Sequence, residues 1–584
     1  MSGFNVNHYK TDLCVIGGGL AGMCAAISAA RSGIKVVLMQ DRPVLGGNAS
    51  SEIRMWICGA HGRNNRETGL VEEISLENFH RNPYKLYPIW DSILYEKVRF
   101  EKNITLLLNC SCNDAQTDGD RIISVTGWQL TTQSKNVVEA KFFADCSGDS
   151  ILAPITGAEY RMGREARSEF GESIAPEQAD SKTMGNSCLI QAREYTEKRE
   201  FIPPVWANHY TKEDLPYRMP NMKNMNENFW YMEIGGESNT IDDAEEIRDE
   251  LLKIAFGIWD YIKNSGDVEA DNWDLDFVGF LPGKRESRRY VGDHIMTQND
   301  VSAEGRFEDM IAYGGWTMDD HDPAGIATKN VPNIFHPAPS PFGIPYRCIY
   351  SKNISNLFFA GRNISVTHSA FSSVRVMATC AALGQAAGIA AYLAVKNDTT
   401  PRGVYQEHIT ELQNMLMDCD CYLPWHKRQI SPLCLSATLS SSHPENAENV
   451  RNGLDRPIGD KDNGWYGEYL EYSFENEQYV KTARFVFDSD LNRETVADSF
   501  RPGNHAMVSN MYLCQPACFT PQTMLKDFNL EITDKSGNVK TVEIRGNYQR
   551  LCKIPVEQKL IKMRFIPLST YGRDKFHIFS FDFS

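Results

Sequence analysis

Three glycines near the amino terminus have the spacing of a dinucleotide-binding loop. Gly17, Gly19 and Gly22 form a G-x-G-x-x-G pattern between an apolar run at residues 13–16 and an alanine-rich segment at residues 23–31. In this pattern one glycine makes a tight turn, one lets the backbone approach a diphosphate, and one lets a helix pack closely on a strand. The helix N-terminus then presents unpaired N–H groups to the diphosphate. The sequence therefore predicts a strand, a turn and a helix that bind a dinucleotide.

A second strand is predicted at residues 35–39, and the ribose-binding position follows it. Such folds usually place an acidic residue there, and in this chain the position holds Gln40, with Asp41 beside it. Because an amide also bonds to hydroxyl groups, we expect the ribose site in an altered form. The pair Gly46-Gly47 predicts a second close approach of backbone to the diphosphate.

Two histidines are candidates for moving a proton. His61 is flanked by glycines, and imidazole titrates near neutral pH, which suits a proton donor or acceptor. A hydrogen-bonded structural role is the equal alternative, and a covalent link from His61 to a cofactor has no recognisable signature. His368 precedes a helix that Ser372 and Ser373 are expected to cap, which runs from residue 374 to about residue 394 with Arg375 inside its terminus.

A cluster of basic residues predicts an anion- or hydroxyl-binding surface. Residues 283–289 read Gly-Lys-Arg-Glu-Ser-Arg-Arg, and the guanidinium groups of Arg285 and Arg288 could hold carboxylates or neighbouring oxygens. An ion network between domains is the alternative. His321, His336 and Arg347 are further candidates for the same pocket. Their spacing has no metal-site signature, so we predict no metal.

The composition is that of an ordinary globular protein and excludes some partners. Of 584 residues, 42% are hydrophobic and 23% charged, and the net charge of -16 disfavours nucleic acid as the main partner. The 15 cysteines are irregularly spaced without a C-x-x-C pair, which indicates reduced thiols in a reducing compartment. With no apolar secretion segment and no long uncharged apolar run, we expect a cytoplasmic protein without a membrane partner. Homo-oligomerisation is left open.

Longer motifs give a family resemblance over about residues 10–395. GGGLAG, GGNASSEIR, PGKRESRR and AGR together resemble a family of FAD-dependent oxidoreductases within the glutathione-reductase-like superfamily, often found in bacterial polysaccharide-degrading gene clusters. The resemblance implies FAD and a redox role, and no particular substrate. It also implies that the segment after Gly47 runs under the isoalloxazine ring, and that the helix after Ser373 points its N-terminus at flavin N1 and O2. Arg362 stands where aspartate is commoner in flavoproteins, a departure that this family shares.

The resemblance assigns a set of cofactor-binding residues. Gly148 is expected to contact the dinucleotide, whereas Asp149 could equally be a turn residue. The expected FAD-binding residues are Gly17, Gly18, Gly19, Leu20, Ala21, Gly22, Gln40, Asp41, Arg42, Gly46, Gly47, Asn48, Ser50, Gly148, Gly361, Arg362 and Arg375.

The fold class that follows is α/β: a doubly wound, Rossmann-like FAD-binding domain with an inserted α+β substrate domain and a C-terminal β-sandwich. We expect the FAD-binding domain at residues 1–160 and 337–396, the insertion at 161–336, a helical linker at 397–430 and the sandwich at 431–584. Residues 122–130 and 137–144 are predicted as a β-hairpin pair, and residues 242–263 as a helix with Ile247, Leu251, Ile254, Ile258 and Ile262 on one apolar face. Short strands of alternating hydrophobicity after residue 431, among them residues 469–474 and 483–487, predict the sandwich. This region resembles discoidin-like jelly rolls, many of which bind sugars. Trp465 and Tyr466 could form an aromatic platform on which a sugar ring stacks. The alternative, which is commoner for a tryptophan in this pattern, is that Trp465 belongs to the hydrophobic core.

We therefore expect an FAD-dependent oxidoreductase that transfers a hydride between flavin and a polar small molecule, with a carbohydrate derivative as the favoured substrate. A histidine (His61 or His368) would donate or accept the proton, while Arg285, Arg288 or Arg347 would orient the substrate. One G-x-G-x-x-G and no C-x-x-C argue against a disulfide reductase with its own nicotinamide site. The alternative is a flavin-containing glycan-binding or scaffold protein without turnover. A tRNA-directed flavoprotein is disfavoured by the acidic charge.

Overall fold

The computed structural model describes residues 3–220, 222, 229–496 and 517–584. These residues form two compact units. The first contains the chain up to Ala60 and most of Lys85–Leu412, and the second contains His61–Tyr84 and the described residues from Gln413 onward.

The amino-terminal part of the chain alternates strands and helices. Its elements are β1 (Asn5–Ile16), α1 (Leu20–Ser32), β2 (Val36–Met39), α2 (Leu70–Arg81), α3 (Tyr87–Arg99), β3 (Ile104–Leu107), β4 (Cys110–Asp118), β5 (Arg121–Gln129), β6 (Ser134–Asp145) and α4 (Leu152–Thr156). A 3₁₀ turn spans Gly47–Ala49. All of these lie in the first unit except α2, which belongs to the second.

A twisted sheet organises the first unit. Its strands follow the order β3-β2-β1-β6-β5-β4, and β1 pairs in parallel with both β2 and β6. β5 and β6 form the antiparallel pair that the sequence predicts for residues 122–130 and 137–144. The last residues of β1, Leu13–Ile16 in the register, are buried, as the apolar run requires. The doubly wound sheet expected from the sequence is confirmed.

An α+β region follows, built from short strands around one long helix. Its elements are β7 (Tyr160–Arg161), α5 (Arg167–Phe170), β8 (Asn186–Ser187), β9 (Ile190–Glu194), β10 (Glu233–Ile234), α6 (Ala244–Asn264), β11 (Trp273–Val278), β12 (Gly283–Lys284), β13 (Arg289–Tyr290), α7 (Gln298–Ser302), β14 (Met310–Gly314), β15 (Met318–His321), β16 (Asn333–His336) and β17 (Phe342–Pro345). The apolar stripe predicted for α6 is buried, with Ile247, Leu251, Ile254, Ile258 and Ile262 at most 4% exposed. Strand β8 lies between β10 and β12.

The chain then returns to the sheet of the first unit. The returning elements are β18 (Leu357–Phe359), α8 (His368–Val374), α9 (Met377–Lys396) and α10 (Pro401–Asp418). β18 pairs in parallel with the carboxyl end of β6.

Helix α9 packs against α1 at very short range. A Cβ atom at Gly384 would overlap the carbonyl oxygen of Ala21, and one at Gly388 would overlap that of Ala25. Ser28 Oγ also donates a hydrogen bond of 3.0 Å to the Gln385 carbonyl. α9 is long and apolar enough to cross a membrane, but 89% of its apolar window is buried within the protein, as in a core helix.

The second unit is an antiparallel β-sandwich. Its elements are α11 (Pro432–Ser436), β19 (Thr438–Ser441), β20 (Trp465–Tyr466), β21 (Leu470–Phe487), β22 (Leu525–Thr533), β23 (Val539–Ile544), β24 (Leu551–Thr570) and β25 (His577–Phe583). The strand order is β20-β25-β21-β24-β22-β23, with β19 on β21. The predicted strands 469–474 and 483–487 are one long strand, β21. Leu76 and Phe79 of α2 join the sandwich core.

Candidate functional site

The carboxyl ends of β1 and β2 and the N-terminus of α1 border a cavity of about 370 Å³ within the first unit. The expected cofactor residues that line it are Gly17, Gly19, Leu20, Ala21, Gln40, Asp41, Arg42, Gly46, Gly47, Asn48, Gly148, Gly361, Arg362 and Arg375. Gly18, Gly22 and Ser50 are outside this lining. The cofactor role of each residue stays a prediction, but one cavity gathers most of them from segments that are far apart in the sequence.

The glycine loop leaves the end of α1 open toward the cavity. Gly17 has φ of +99°, and a Cβ there would overlap the Cys146 carbonyl. A Cβ at Gly22 would overlap the Gly17 carbonyl, so the helix begins directly against the turn. No side chain caps α1, and its first residues Leu20 and Ala21 line the cavity. Uncapped N–H groups at a helix N-terminus favour an anion such as a diphosphate.

Gln40 has a role in addition to the one expected at the ribose position. Its side-chain carbonyl accepts a 2.6 Å hydrogen bond from the Gly18 N–H, and its amide donates one of 3.1 Å to the Val44 carbonyl. Both ends of the amide are therefore committed to the backbone of the loop. The amide also holds the loop; Gln40 still lines the cavity, and its binding of the ribose hydroxyls stays a prediction. Asp41, next in the chain, is exposed.

The second glycine pair lies against the first loop. The Gly46 N–H donates a 2.8 Å hydrogen bond to the Gly18 carbonyl, and Gly19 and Gly46 form a parallel bridge. Ser50 is fully buried just behind this pair, and its Oγ has no hydrogen-bond partner among the described residues. A buried hydroxyl without a partner is costly, and a bound polar group would relieve that cost.

Arg362 forms an ion cluster at the cavity wall. Its guanidinium donates to Asp149 Oδ1 at 2.6 Å and to Ser287 Oγ at 3.0 Å, while Lys284 Nζ lies 2.8 Å from Asp149 Oδ2. Burial alone would raise the pKa of Asp149, but Arg362 and Lys284 outweigh it and hold the pKa well below its usual range. Asp149 is thus a charged partner rather than only a turn residue. Lys284 belongs to the basic cluster that the sequence predicts at residues 283–289.

The helix over the cavity begins later than expected. Thr367, not Ser372 or Ser373, caps α8: its Oγ1 accepts a hydrogen bond from the Ala370 N–H. Ser373 Oγ donates to the Trp316 carbonyl, and the serines lie inside α8. Extended backbone at Val376 separates α8 from α9, whose N-terminus has no side-chain cap. The helix predicted from residue 374 to about 394 is present as α9, but it begins at Met377 and the serines do not cap it. Arg375, Met377 and Cys380 bring its start to the cavity.

Arg375 connects the cavity to a buried row of charges. Its Nη2 donates to Asp319 Oδ2 at 3.2 Å and to the Asp319 carbonyl at 3.3 Å. Asp319 lies 3.1 Å from His321 Nε2, and His321 Nδ1 lies 2.7 Å from Glu233 Oε2. Glu233 in turn pairs with Arg285 at 3.3 Å. We call these five residues the charge row.

The protonation of the charge row follows from its contacts. Burial disfavours the His321 imidazolium, but Glu233 and Asp319 outweigh burial and raise the pKa of His321. Burial would raise the pKa of Glu233, yet Arg285 and His321 lower it to about 2. His321 is therefore a cation between two carboxylates, and Arg285, expected to face substrate, is bonded to Glu233, Ser187 and the Trp230 carbonyl.

His368 has a similar environment in a second group of charges. Its Nδ1 lies 2.9 Å from Glu286 Oε2 and its Nε2 lies 3.2 Å from Asp320 Oδ1. Burial lowers the pKa of His368, but Glu286 and Asp320 outweigh it and raise the pKa to about 10. Glu286 also pairs with Arg289.

The remaining candidates lie elsewhere. Arg288 donates to the Asp149 and Ser150 carbonyls, and Arg347 pairs with Asp309 through two hydrogen bonds of 2.9 and 3.0 Å. Neither lines the cavity, and their roles in orienting substrate stay predictions. His61 belongs to the second unit, where its carbonyl accepts from Asn65, and its catalytic role stays a prediction. His336 lies at the end of β16.

Comparisons with known proteins complete this description. A family model described as FAD dependent oxidoreductase matches residues 12–416. A fumarate reductase (cytochrome) of Shewanella frigidimarina is 55% identical over 42 residues, which is 7% of this chain and 7% of the relative's length.

Solved structures resemble separate parts of the chain at low similarity. A geranylgeranyl bacteriochlorophyll reductase-like protein of Thermoplasma acidophilum covers 70% of this chain and 84% of its own, with 10% identity and a TM-score of 0.30. A family 32 carbohydrate-binding module from Streptococcus pneumoniae EndoD covers 25% of this chain and 94% of its own, with 18% identity and a TM-score of 0.19.

Proposed function

The chain belongs to the FAD dependent oxidoreductase family, and from this premise we propose that it transfers a hydride between FAD and a polar small molecule of the carbohydrate-derivative class. The cofactor is FAD. The uncapped N-terminus of α1 and the glycines at the cavity wall fit its diphosphate. Arg42, Lys284 and Arg362 line the same cavity and complement the cofactor's negative charge.

The proposal rests on one observation: the charge row begins at the cavity with Arg375 and extends into the protein interior. When bound, FAD supplies the two-electron hydride donor or acceptor. Arg375 lines the cavity at the start of α9, and the guanidinium and the helix N-terminus together favour negative charge there. A polar substrate is supported because a purely apolar one would leave these groups without partners.

His368 is the histidine that we propose holds the reaction's proton. Its pKa of about 10 keeps it protonated at neutral pH, so Nε2 is a proton donor rather than an acceptor. Asp320 accepts the hydrogen bond from Nε2, and its side chain is 26% exposed. Asp320 therefore connects the buried imidazole ring to solvent. His61 remains the alternative holder.

The test is anaerobic titration of the purified yellow protein with sugars, sugar acids and hydroxy acids. Separately, the chemically reduced protein is mixed with enoates and keto sugars. We expect at least one compound to bleach the oxidised flavin or to reoxidise the reduced flavin. If every compound leaves the flavin unchanged, the protein is a scaffold that carries FAD without turnover, which is the second candidate function.

The second unit supports that candidate with a cavity of its own. The cavity has a volume of about 450 Å³. Tyr466 is 46% exposed and stacks on His577 at 4.1 Å, which suits an aromatic platform for a sugar ring. Trp465 is fully buried and donates to the His443 carbonyl, so it is core rather than platform. The carboxylates that line the cavity and can accept hydrogen bonds from sugar hydroxyls are Asp460, Asp462, Asp488, Asp490 and Glu494.

Glycan-array binding by the full chain tests this second candidate. We expect Tyr466→Ala to abolish binding of any captured glycan. Tyr479→Ala is the matched control, because Tyr479 is 55% exposed on β21 and does not line the cavity. Equal binding by both variants would exclude Tyr466 as the platform.

A further inference from the structure

Arg375 is an arginine whose hydrogen-bonding capacity is only partly used. Its Nη2 bonds to Asp319, and its Nε is buried with no hydrogen-bond partner among the described residues. The side chain lines the FAD cavity and is 14% exposed. A buried guanidinium N–H without an acceptor is costly, and an anionic ligand in the cavity would supply the acceptor.

The charge row also has an excess of positive charge. Arg285, His321 and Arg375 contribute three positive charges, and Glu233 and Asp319 contribute two negative charges, which leaves one positive charge over. Each carboxylate is shared between two cations. Burying an unbalanced charge is unfavourable unless a partner arrives, and the cavity end of the row is the end at which a ligand can arrive.

Among the arginines of the same unit that were candidates for the site, Arg347 and Arg362 do not share this property. Arg347 forms an ion pair with Asp309 and donates two hydrogen bonds to its carboxylate. Arg362 bonds to both Asp149 and Ser287. Arg375 alone among these three shares its carboxylate with a protonated histidine and keeps a buried Nε without an acceptor.

We propose that Arg375 binds a carboxylate group of the substrate, and that Asp319, His321 and Glu233 are positioning residues that fix its guanidinium toward the cavity. The substrate is then a hydroxylated carboxylate, such as a sugar acid, rather than a neutral sugar. This inference rests on the proposed function, because the cavity is taken as the place where substrate meets FAD. Asp319 holds Arg375 directly, His321 fixes Asp319, and Glu233 fixes His321.

The test is calorimetric titration of the FAD-loaded protein with glycolate and with ethylene glycol, which has a hydroxymethyl group in place of the carboxylate. We expect glycolate to bind and ethylene glycol not to. Arg375→Gln should weaken glycolate binding at least about tenfold, and Arg375→Lys should recover part of the loss, since lysine keeps the charge without the planar fork. Arg306→Gln, an exposed arginine paired with Glu304, is the matched control and should bind as wild type does.

The positioning residues have their own readout. Asp319→Asn and His321→Gln should weaken glycolate binding severalfold in protein that keeps its FAD content, and Asp319→Glu should recover part of the loss. A loss of folding would instead lower the thermal midpoint and FAD content together. If Asp319→Asn binds glycolate as wild type does, Asp319 does not position Arg375.

The outcomes separate this inference from the proposed function. Equal binding of glycolate and ethylene glycol by wild type, or unchanged glycolate binding by Arg375→Gln, overturns the inference. Loss of FAD from Arg375→Gln, with no glycolate binding by wild type, also overturns it and makes Arg375 a cofactor residue. If no compound changes the flavin's redox state but glycolate binding depends on Arg375, the proposed function fails and the inference stands.

Discussion

Arg362 Nη2 donates a 2.6 Å hydrogen bond to Asp149 Oδ1, although the two residues are 213 positions apart in the chain. Flavoproteins commonly have aspartate at the position of Arg362. In this protein the carboxylate comes instead from the turn after β6, and Arg362 and Lys284 hold it from two sides. Two cations around one carboxylate leave a net positive charge at the cavity wall, which suits the phosphates of FAD.

Replacing Arg362 should therefore weaken cofactor binding. We expect Arg362→Ala to raise the FAD dissociation constant about tenfold, because a charge-assisted hydrogen bond and a positive charge are lost together. Flavin fluorescence after dilution measures the released cofactor. Arg306→Ala, which removes an exposed guanidinium, should retain FAD as wild type does. Full FAD retention by Arg362→Ala would show that Asp149 and Lys284 are sufficient at this wall.

Gln40 should act on the stability of the loop. Gln40→Ala leaves the buried Gly18 N–H without its acceptor, and we expect a loss of about 1–3 kcal/mol in the free energy of unfolding. Urea unfolding of the apo protein measures this loss in the absence of any ribose. Asp41→Asn is the control and should unfold as wild type does, because Asp41 is exposed. An unchanged midpoint for Gln40→Ala would contradict the loop-holding role.

The contact between α1 and α9 should tolerate no added methyl group. A Cβ at Gly384 would overlap the Ala21 carbonyl, so Gly384→Ala must push the helices apart at a cost of about 1–3 kcal/mol. We expect a lower thermal midpoint and, because Ala21 lines the cavity, a lower FAD content. Gly3→Ala has open space around it and should change neither quantity.

His368 should make stability fall on the alkaline side. Its pKa is raised from 6.5 to about 10 in the folded protein, so its contribution is complete below pH 6.5 and is lost as pH rises through about 10. The difference in thermal midpoint between wild type and His368→Gln should therefore be largest at pH 6 and shrink steadily toward pH 10. A difference that is constant over this range would show that the ring is not protonated between Glu286 and Asp320.

The sequence was sufficient where chemistry is local. The strand, glycine turn and helix around Gly17 depend on neighbours within about 25 residues, and the structure has them as predicted. The apolar face of α6 was also predicted residue by residue, since its 3.6-residue period is contained in one segment. The α/β fold class, FAD and the β-sandwich followed from such patterns and from motif resemblance.

The sequence was insufficient where a side chain's partner comes from a distant segment. From the sequence, Arg285 was expected to bind substrate. In the structure its guanidinium pairs with Glu233, which lies on another strand. Ser372 and Ser373 were predicted to cap the helix that follows them, but they lie inside α8, Ser373 donates to the Trp316 carbonyl, and α9 begins without a side-chain cap. Arg285, His321 and Arg375 were candidates from the sequence, but Glu233 and Asp319, which connect them in the charge row, were missed for the same reason.

The contact of Gly384 with Ala21 has a consequence for biosynthesis. Helix α1 leaves the ribosome early, but the helix that covers it is complete only at Lys396. At ordinary elongation rates, roughly 20 to 80 s pass between the synthesis of α1 and the synthesis of α9, which packs against it. During that interval the face of α1 that packs on α9 has no partner, so the wall formed by the start of α9 is missing from the cofactor cavity until α9 has been synthesised.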